Sequence, residues 1–519
     1  MPQLTPQQSE FCAQVQDSTS GLALIARAGT GKTYTLVQAT HHLGQGSTPA
    51  LALAFNKRIA DELGQKMPDG VECRTMNSLG HRCWTKFLNR RAELDAQKLG
   101  GLVTSEVKAR PNLRDEAWDN VRQLATKAKA HGIVPTEARG HPKSLHRDSP
   151  ESWEHLCDLY DLDFIEEEID LARSVLRQSI DLAFQGKIDF DDQIYMPTLW
   201  SGPFERYPVV FVDEAQDLTE LQHEMLSKVL ALKTGRLIAV GDPRQSIYGF
   251  RGAKQNSMAT LEQRFALQPL PLTVSFRCPQ RVVREAQREC PDIEPWSEAP
   301  EGQVGSLESW SLEDLPHGSA VLCRNNAPLM KLAYKLISSK VGVYFLGRDL
   351  GKGLTSLVKK LSGANSKSKR TAEAARQLPT DQLEELIEQW RSQEQAQALA
   401  RDNMDKLERI NDRANCILTL TPLVETTGEL LDLVEEMFSR DDGKVALSTI
   451  HRAKGLEWKD VFFLDPWRVP PPRLRRHYDR DPDRYQSRMD QERNLRYVAI
   501  TRAQRSLTYI DLDNLDEED

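Results

Sequence analysis

Short, continuous apolar runs punctuate this chain, and the sequence between them is charged and helix-compatible. Runs at 22–25, 51–54, 209–212, 237–240, 320–323, 343–346, 445–449, 461–464 and 507–510 have the length of buried strands. Apolar runs alternating with helical texture predict parallel α/β sheets, whose binding crevice lies at the carboxyl ends of the strands. A helix is predicted over 4–15, with Thr5 and Pro6 as its start signals and Gln8 on its first turn. Charged, helix-compatible sequence interrupts the first α/β pattern over 83–185, with a loop-like patch at 140–150, and the second over 356–440. In the latter, Leu383, Leu386, Ile387, Trp390, Leu399, Leu407 and Ile410 recur at helical spacing. That predicts an amphipathic helix packed on its neighbours in preference to a partner-binding coiled coil.

Chemistry enters directly after the first run, where residues 26–33 read ARAGTGKT. A strand feeding a glycine-rich loop that opens a helix gathers backbone N–H groups around a polyphosphate. Gly29 and Gly31 let the backbone turn close to phosphate oxygens, Lys32 can reach the β- and γ-phosphates, and the Thr33 hydroxyl can ligate Mg²⁺. Ala26 stands where the usual phosphate-loop pattern has its first glycine. Asp213 and Glu214 follow the run at 209–212; the first carboxylate suits Mg²⁺ and the second can take a proton from an attacking water. Loop and acids on one sheet predict hydrolysis of a nucleoside triphosphate.

Bulk properties narrow this only slightly. A chain of 519 residues is expected to hold roughly two to four domains. No run approaches the apolar length of a membrane span and the N-terminus is polar, so an intracellular, cytoplasmic address is expected, nucleoid-associated if the source is bacterial, with no membrane partner. The eight cysteines form no CxxC pair, so free thiols are expected, and neither zinc, iron–sulfur ligation nor a disulfide framework is. A net charge of −8 argues against a uniformly basic protein coating nucleic acid but leaves room for a local basic groove.

The ordered set LTPQQ, ARAGTGKT, DEAQD, GDPRQSIYGFRGA, SFRCP, HRAKGLEW and YVAITRA resembles the UvrD/Rep-like branch of superfamily 1 helicases. The resemblance covers both α/β parts to about residue 510 and implies two RecA-like parallel-sheet P-loop domains with helical accessory insertions. The implied first domain is 1–82 with 186–271, interrupted by 83–185; the second is 272–355 with 441–519, interrupted by a reduced insertion at 356–440. It implies ATP and Mg²⁺ as cofactors and 3′-to-5′ movement on single-stranded DNA with unwinding of tailed duplexes. The substrate's being DNA and not RNA follows from the resemblance alone.

Residue by residue, the resemblance makes Gln8 the adenine reader and Ala26, Arg27, Ala28, Gly29, Thr30, Gly31, Lys32 and Thr33 the nucleotide loop. Thr33 and Asp213 are the implied metal ligands, Glu214 the base and Gln245 the γ-phosphate sensor. Phe276 is the aromatic at the base, Glu457 the acid at the ribose, and Arg277 and Arg502 the γ-phosphate arginines, so the nucleotide is expected between the two domains. Strand-binding positions are Phe55, Asn56, Thr75, Ser78, Tyr248, Phe250, Arg251 and Thr449. Asn77 replaces the usual histidine of TxHS, Phe250 the tryptophan common in UvrD, and Tyr34 an arginine beside the base.

Two rivals stand beside the helicase reading. One is a single-strand translocase, or a DNA-stimulated ATPase subunit with a protein partner in repair, replication or defence, that unwinds little alone. The other is a catalytically dead DNA-binding scaffold, whose mark would be loss of Lys32, Glu214 or an arginine; all are present. Because the last motif ends near residue 510, a fused nuclease is not expected. The basic run 468–480, broken by prolines, reads as a solvated loop or a phosphate contact, and the acidic end 511–519 as a solvated tail or, less so, a protein-binding segment.

Overall fold

The structure, a computed structural model, describes residues 4–515 apart from 45–46, 55, 111–112, 114–116, 141, 161–165, 248–255, 348, 366–367, 401–403 and 440–442; at 158–159, 349, 400 and 404–405 it describes the backbone only. It divides into two compact units, Met1–Thr273 and Val274–Asp519.

In the first unit, helix α1 (Pro6–Asp17) begins as its sequence predicts. Thr5 Oγ1 accepts from Gln8 N at 3.2 Å and Gln8 Oε1 from Thr5 N at 3.0 Å, a reciprocal cap ahead of Pro6. The strands are β1 (Leu22–Ala26), β2 (Ala50–Ala54), β3 (Val71–Thr75), a two-residue ladder of β4 (Glu93–Leu94) with β5 (Lys187–Ile188), β6 (Val209–Val212), β7 (Arg236–Gly241) and β8 (Gln268–Leu272). Six form one sheet of order β3-β2-β6-β7-β1-β8, parallel throughout. Strand alternation sends Leu22, Leu24, Phe211 and Val240 to one face and Ala23, Leu53, Val210 and Val212 to the other. Both faces are buried, which is why these strands read as continuous apolar runs.

Helices α2 (Lys32–Thr40), α3 (Lys57–Gly64), α4 (Met76–Leu88), α5 (Lys98–Lys108), α6 (Ala117–Ala130), α7 (Pro150–Tyr160), α8 (Glu166–Phe184), α9 (Asp192–Leu199), α10 (Glu220–Val229) and α11 (Ser257–Phe265) complete this unit. The change of texture at residue 83 falls inside α4, which packs so closely on α9 that a Cβ on Gly80 would lie 1.8 Å from Gln193 O. Helices α5 to α8 enclose a core of their own around Val103, Leu124, Trp153 and Leu176. A buried charge cluster joins them to α9: Lys98 Nζ meets Asp192 at 2.5 Å, and Lys129 Nζ meets Asp189 at 2.7 Å and Asp192 at 2.8 Å. Burial lowers the Lys129 pKa, but the Asp192 and Asp189 charges outweigh it and the net shift is upward.

The second unit has a short ladder of β9 (Val274–Ser275) with β10 (Glu294–Pro295), then β11 (Gln303–Ser306), β12 (Ala320–Cys323), β13 (Val343–Phe345), β14 (Val445–Thr449), β15 (Trp458–Leu464) and β16 (Ala503–Ile510). Its six-stranded sheet runs β11-β16-β15-β12-β14-β13, again all parallel. Its helices are α12 (Gln280–Ala286), α13 (Asn326–Ser338), α14 (Asp349–Ser362), α15 (Lys369–Arg376), α16 (Thr380–Ala400), α17 (Met404–Leu418), α18 (Thr427–Ser439), α19 (Ile450–Ala453), α20 (Pro472–Arg480) and α21 (Pro482–Ile500). Unlike α5 to α8, the helices between β13 and β14 share one core with the sheet, in which Leu354, Ile387 and Leu431 join Val321, Val343 and Leu447.

Two expectations are corrected here. The single amphipathic helix is instead α16 and α17, with Leu383, Ile387, Leu407 and Ile410 buried but Leu399 51% exposed. The basic run is not a loop: Pro472 takes the first helical position of α20, where a missing N–H costs nothing, and residues 472–480 are helical. Among the described residues, no helix is long and apolar enough to cross a membrane.

Candidate nucleotide and nucleic-acid site

Three adjacent strands bring the first unit's chemistry together. In the order β6-β7-β1, the acids follow β6, Asp242 follows β7 and the phosphate loop follows β1, so all leave the sheet at neighbouring carboxyl ends. Ala26 is the last residue of β1, paired with Leu272 of β8; an extended position tolerates a Cβ, which explains the missing glycine. Gly29 (φ 75°) and Gly31 (φ 76°) do require the left-handed conformation, and Gly31 directly precedes α2. Thr30 is buried, its Oγ1 donating to Arg27 O at 2.8 Å, and Gln8 Nε2 donates to Thr30 O at 3.4 Å. The candidate adenine reader thus touches the loop.

Lys32 Nζ lies 3.2 and 3.3 Å from the two Glu214 carboxylate oxygens. Burial pushes the ammonium pKa down, but the charges of Glu214, Asp242 and Asp213 outweigh it and raise it overall. Thr33 Oγ1 donates to Asp213 Oδ2 at 3.3 Å. Burial, reinforced by the Glu214 charge, raises the Asp213 carboxyl to about 6. An added cation between Thr33 and Asp213 would relieve that penalty, so this hydroxyl–carboxylate pair fits a Mg²⁺ ion.

Residues given no role in the sequence reading connect these groups. Gln216 Nε2 donates to Glu214, and its Oε1 accepts from Asp242 N at 3.1 Å. Asp242 is fully buried; its Oδ1 lies 3.2 Å from Arg27 Nη1, and its Oδ2 accepts from Gln245 Nε2 at 2.8 Å. A Cβ on Gly241 would sit 2.5 Å from Gln216 Oε1, so only glycine admits the link. Gln216 and Asp242 both lie inside the DEAQD and GDPRQ stretches, which was the available signal.

In the second unit Arg277, Glu457 and Arg502 come together. Arg277 Nε is 2.5 Å from Glu457 Oε2, an ion pair whose angle makes no hydrogen bond, and Glu457 Oε1 accepts from Gln504 at 2.8 Å. Arg502 is wholly buried, donating to Val498 O at 2.9 Å, Leu456 O at 3.1 Å and Thr501 Oγ1 at 3.1 Å. Burial, and then the Arg277 charge, lower its pKa to about 10. Phe276 is 43% exposed, its ring 5.9 Å from that of Trp296.

Of the strand-binding candidates, Phe55, Tyr248, Phe250 and Arg251 lie outside the described residues. Asn56 and Thr75 follow and end the paired strands β2 and β3, and both cap helices: Asn56 Oδ1 accepts from Ile59 N at 2.9 Å, and Thr75 Oγ1 from Ser78 N at 3.1 Å. Ser78 Oγ donates to Thr75 O at 3.0 Å. Asn77 binds Phe190 O at 2.8 Å and Gln193 Oε1 at 3.0 Å, which makes it part of the α4–α9 packing. Thr449 ends β14 and is mostly buried.

Two all-parallel α/β units, one carrying a phosphate loop whose lysine is ion-paired to an acid beyond a nearby strand, define the two-domain RecA-like P-loop class. Residues 4–266 match the UvrD/REP helicase N-terminal domain and residues 348–513 the UvrD-like helicase C-terminal domain; the chain belongs to the UvrD/Rep-like family of superfamily 1 DNA helicases. F-box DNA helicase 1 of Gallus gallus is 25% identical over 503 residues, covering 93% of this chain and 46% of that relative. ATP-dependent DNA helicase UvrD2 of Mycobacterium tuberculosis (strain ATCC 25618 / H37Rv) is 26% identical over 553 residues, covering 93% of this chain and 75% of the relative. ATP-dependent DNA helicase Rep of Escherichia coli (strain K12) is 36% identical over 111 residues, 19% of this chain and 16% of the relative.

Proposed function

We propose that this chain is an ATP-dependent motor that moves 3′ to 5′ along single-stranded DNA and unwinds tailed duplexes, with 83–185 and 356–440 as accessory segments. The observation that carries the reading is the connected set Lys32, Glu214, Gln216, Asp242 and Gln245. Without nucleotide, Lys32 and Glu214 neutralise each other. A triphosphate draws the ammonium to its β- and γ-oxygens, which leaves Glu214 able to accept the proton of an attacking water. Thr33 and Asp213 would hold Mg²⁺, which supplies further neutralisation of the phosphate charge. Gln216 keeps Glu214 in register with Asp242, and Gln245 shares that carboxylate, so a change at the γ-phosphate is felt at Gln245 through side chains already in contact. Arg277 and Arg502 supply positive charge to the phosphoryl group, Glu457 the ribose contact, and Gln8 and Phe276 the base contacts.

Movement requires DNA to be held and released. Bases stacking on Phe55, Tyr248 and Phe250, each worth about 1–3 kcal/mol, supply the grip, with Asn56, Thr75, Ser78, Arg251 and Thr449 on the backbone. The test is ATP hydrolysis with and without single-stranded DNA, beside unwinding of duplexes carrying a 3′ or a 5′ tail. Stimulation with unwinding from the 3′ tail alone is expected. Stimulation without unwinding would make the chain a translocase or an ATPase subunit, and unwinding from the 5′ tail would reverse the polarity.

A further inference from the structure

We propose that His131, His146 and Glu220, remote in sequence and outside every helicase motif, form a binding site for a divalent transition metal of the zinc class. Each offers a ligand atom, and these atoms all lie within 4.8 Å of one another. His131 follows α6, His146 lies in the segment leading to α7, and Glu220 is the first residue of α10. The site would therefore tie the helical segment α5 to α8 to the α/β sheet of its own unit.

The donors stand on backbone that is already fixed. Leu145 N donates to Gly132 O at 2.9 Å, Ser144 Oγ to the same carbonyl at 3.1 Å, and Val134 N to Ser144 Oγ at 3.2 Å. Ile133 and His146 form a parallel bridge. Gly132 has φ 66°, and a Cβ there would lie 2.7 Å from Leu145 Cγ, so this close approach of the two histidine-bearing segments depends on glycine. Glu220 is positioned by the reciprocal cap between Thr219 and Gln222. Three donors on such supports need little reorganisation to meet one ion.

The donor chemistry selects the ion. Two imidazoles and a carboxylate suit zinc and its neighbours, whereas Mg²⁺ and Ca²⁺ prefer oxygen alone. All three residues are half-buried, open enough for an ion to enter. The cluster is held by hydrogen bonds that include His146 Nε2 with Glu220 Oε2 at 3.0 Å and His131 Nε2 with the Tyr160 hydroxyl at 2.6 Å. Metal entry displaces the proton shared by His146 and Glu220 and makes the Tyr160 hydroxyl an outer partner that orients the His131 ring. The Lys127 ammonium rests 4.1 Å from the centre of the Tyr160 ring. The sequence argued against zinc because it lacks paired cysteines; the fold assembles a site that needs none.

The full chain, stripped with a chelator and kept in excess Mg²⁺, is titrated with Zn²⁺ against a chromophoric competitor, and with Co²⁺ for its absorption spectrum. One zinc per chain is expected, with a cobalt spectrum of nitrogen and oxygen ligands. His146→Ala and Glu220→Gln should each weaken zinc binding by about 100-fold or more, and Tyr160→Phe by about 10-fold. Zinc should also slow amide exchange over 131–146 in the unmutated chain, a readout that no variant's folding can confound. Equal zinc affinity in the unmutated chain and the H146A/E220Q variant, a thiolate charge-transfer band with cobalt, or unchanged exchange would overturn the proposal.

Discussion

In the first unit the Lys32 ammonium is surrounded by Glu214, Asp242 and Asp213, whereas in the second the buried Arg502 guanidinium has another guanidinium, Arg277, as its strongest charged influence. In the first, carboxylates outnumber the cations, so the lysine is already charge-compensated before any phosphate arrives. The second carries positive charge that burial penalises and that Glu457 reaches mainly through Arg277, so an anion placed there would gain the most. A phosphate loop can be prepared by internal pairing; an arginine pair is prepared by being left underpaired.

The largest expected effects test the second arrangement. Arg277→Ala and Arg502→Ala should each lower kcat for ATP hydrolysis by about 10³–10⁵-fold, measured with saturating DNA. They should differ in stability: Arg502→Ala strips a donor from Val498 O and Leu456 O and should lower the thermal midpoint, while Arg277→Ala should leave it in place. A variant at Arg502 that melts early yet hydrolyses ATP normally would make that residue purely structural and end the comparison. In the first unit, Glu214→Gln should cut hydrolysis by about 10²–10⁴-fold while nucleotide binding, followed with a fluorescent ATP analogue, is retained or tightened because Lys32 is released.

Smaller effects sharpen the picture. Gln216→Ala leaves the buried Asp242 N–H without its side-chain acceptor, at a cost of about 1–3 kcal/mol in denaturant unfolding, and should reduce DNA stimulation more than basal hydrolysis. Thr75→Ala removes a helix cap worth about 1 kcal/mol; a larger loss in single-strand affinity than in stability, read by fluorescence anisotropy, would separate a DNA contact from capping alone.

The interior strands were legible because burial on both faces writes them as apolar runs: the run at 320–323 is β12 and that at 445–449 is β14. Strands β3, β8 and β11 escaped notice, and all three are sheet edges, where one side lacks a neighbour and residues such as Glu72, Arg74, Gln268 and Gln303 are tolerated. The glycine-rich turn after β1 was equally readable, since Gly29 and Gly31 take the left-handed conformation that a tight turn needs whatever the surroundings.

By itself, then, the sequence determined the α/β class, the inner strands, the helix start at Thr5 and the glycine-rich turn after β1, because each follows from local sterics or from burial along one segment. Only the tertiary structure decided which distant groups meet: Gln216 with Asp242, Arg277 with Glu457, and His146 with Glu220. It also decided that α5 to α8 keep a core of their own while the helices between β13 and β14 share the sheet's. Adjacency of this kind is set by strand order and helix packing, which depend on the whole chain's choice of what to bury together and leave no mark in any short stretch of residues.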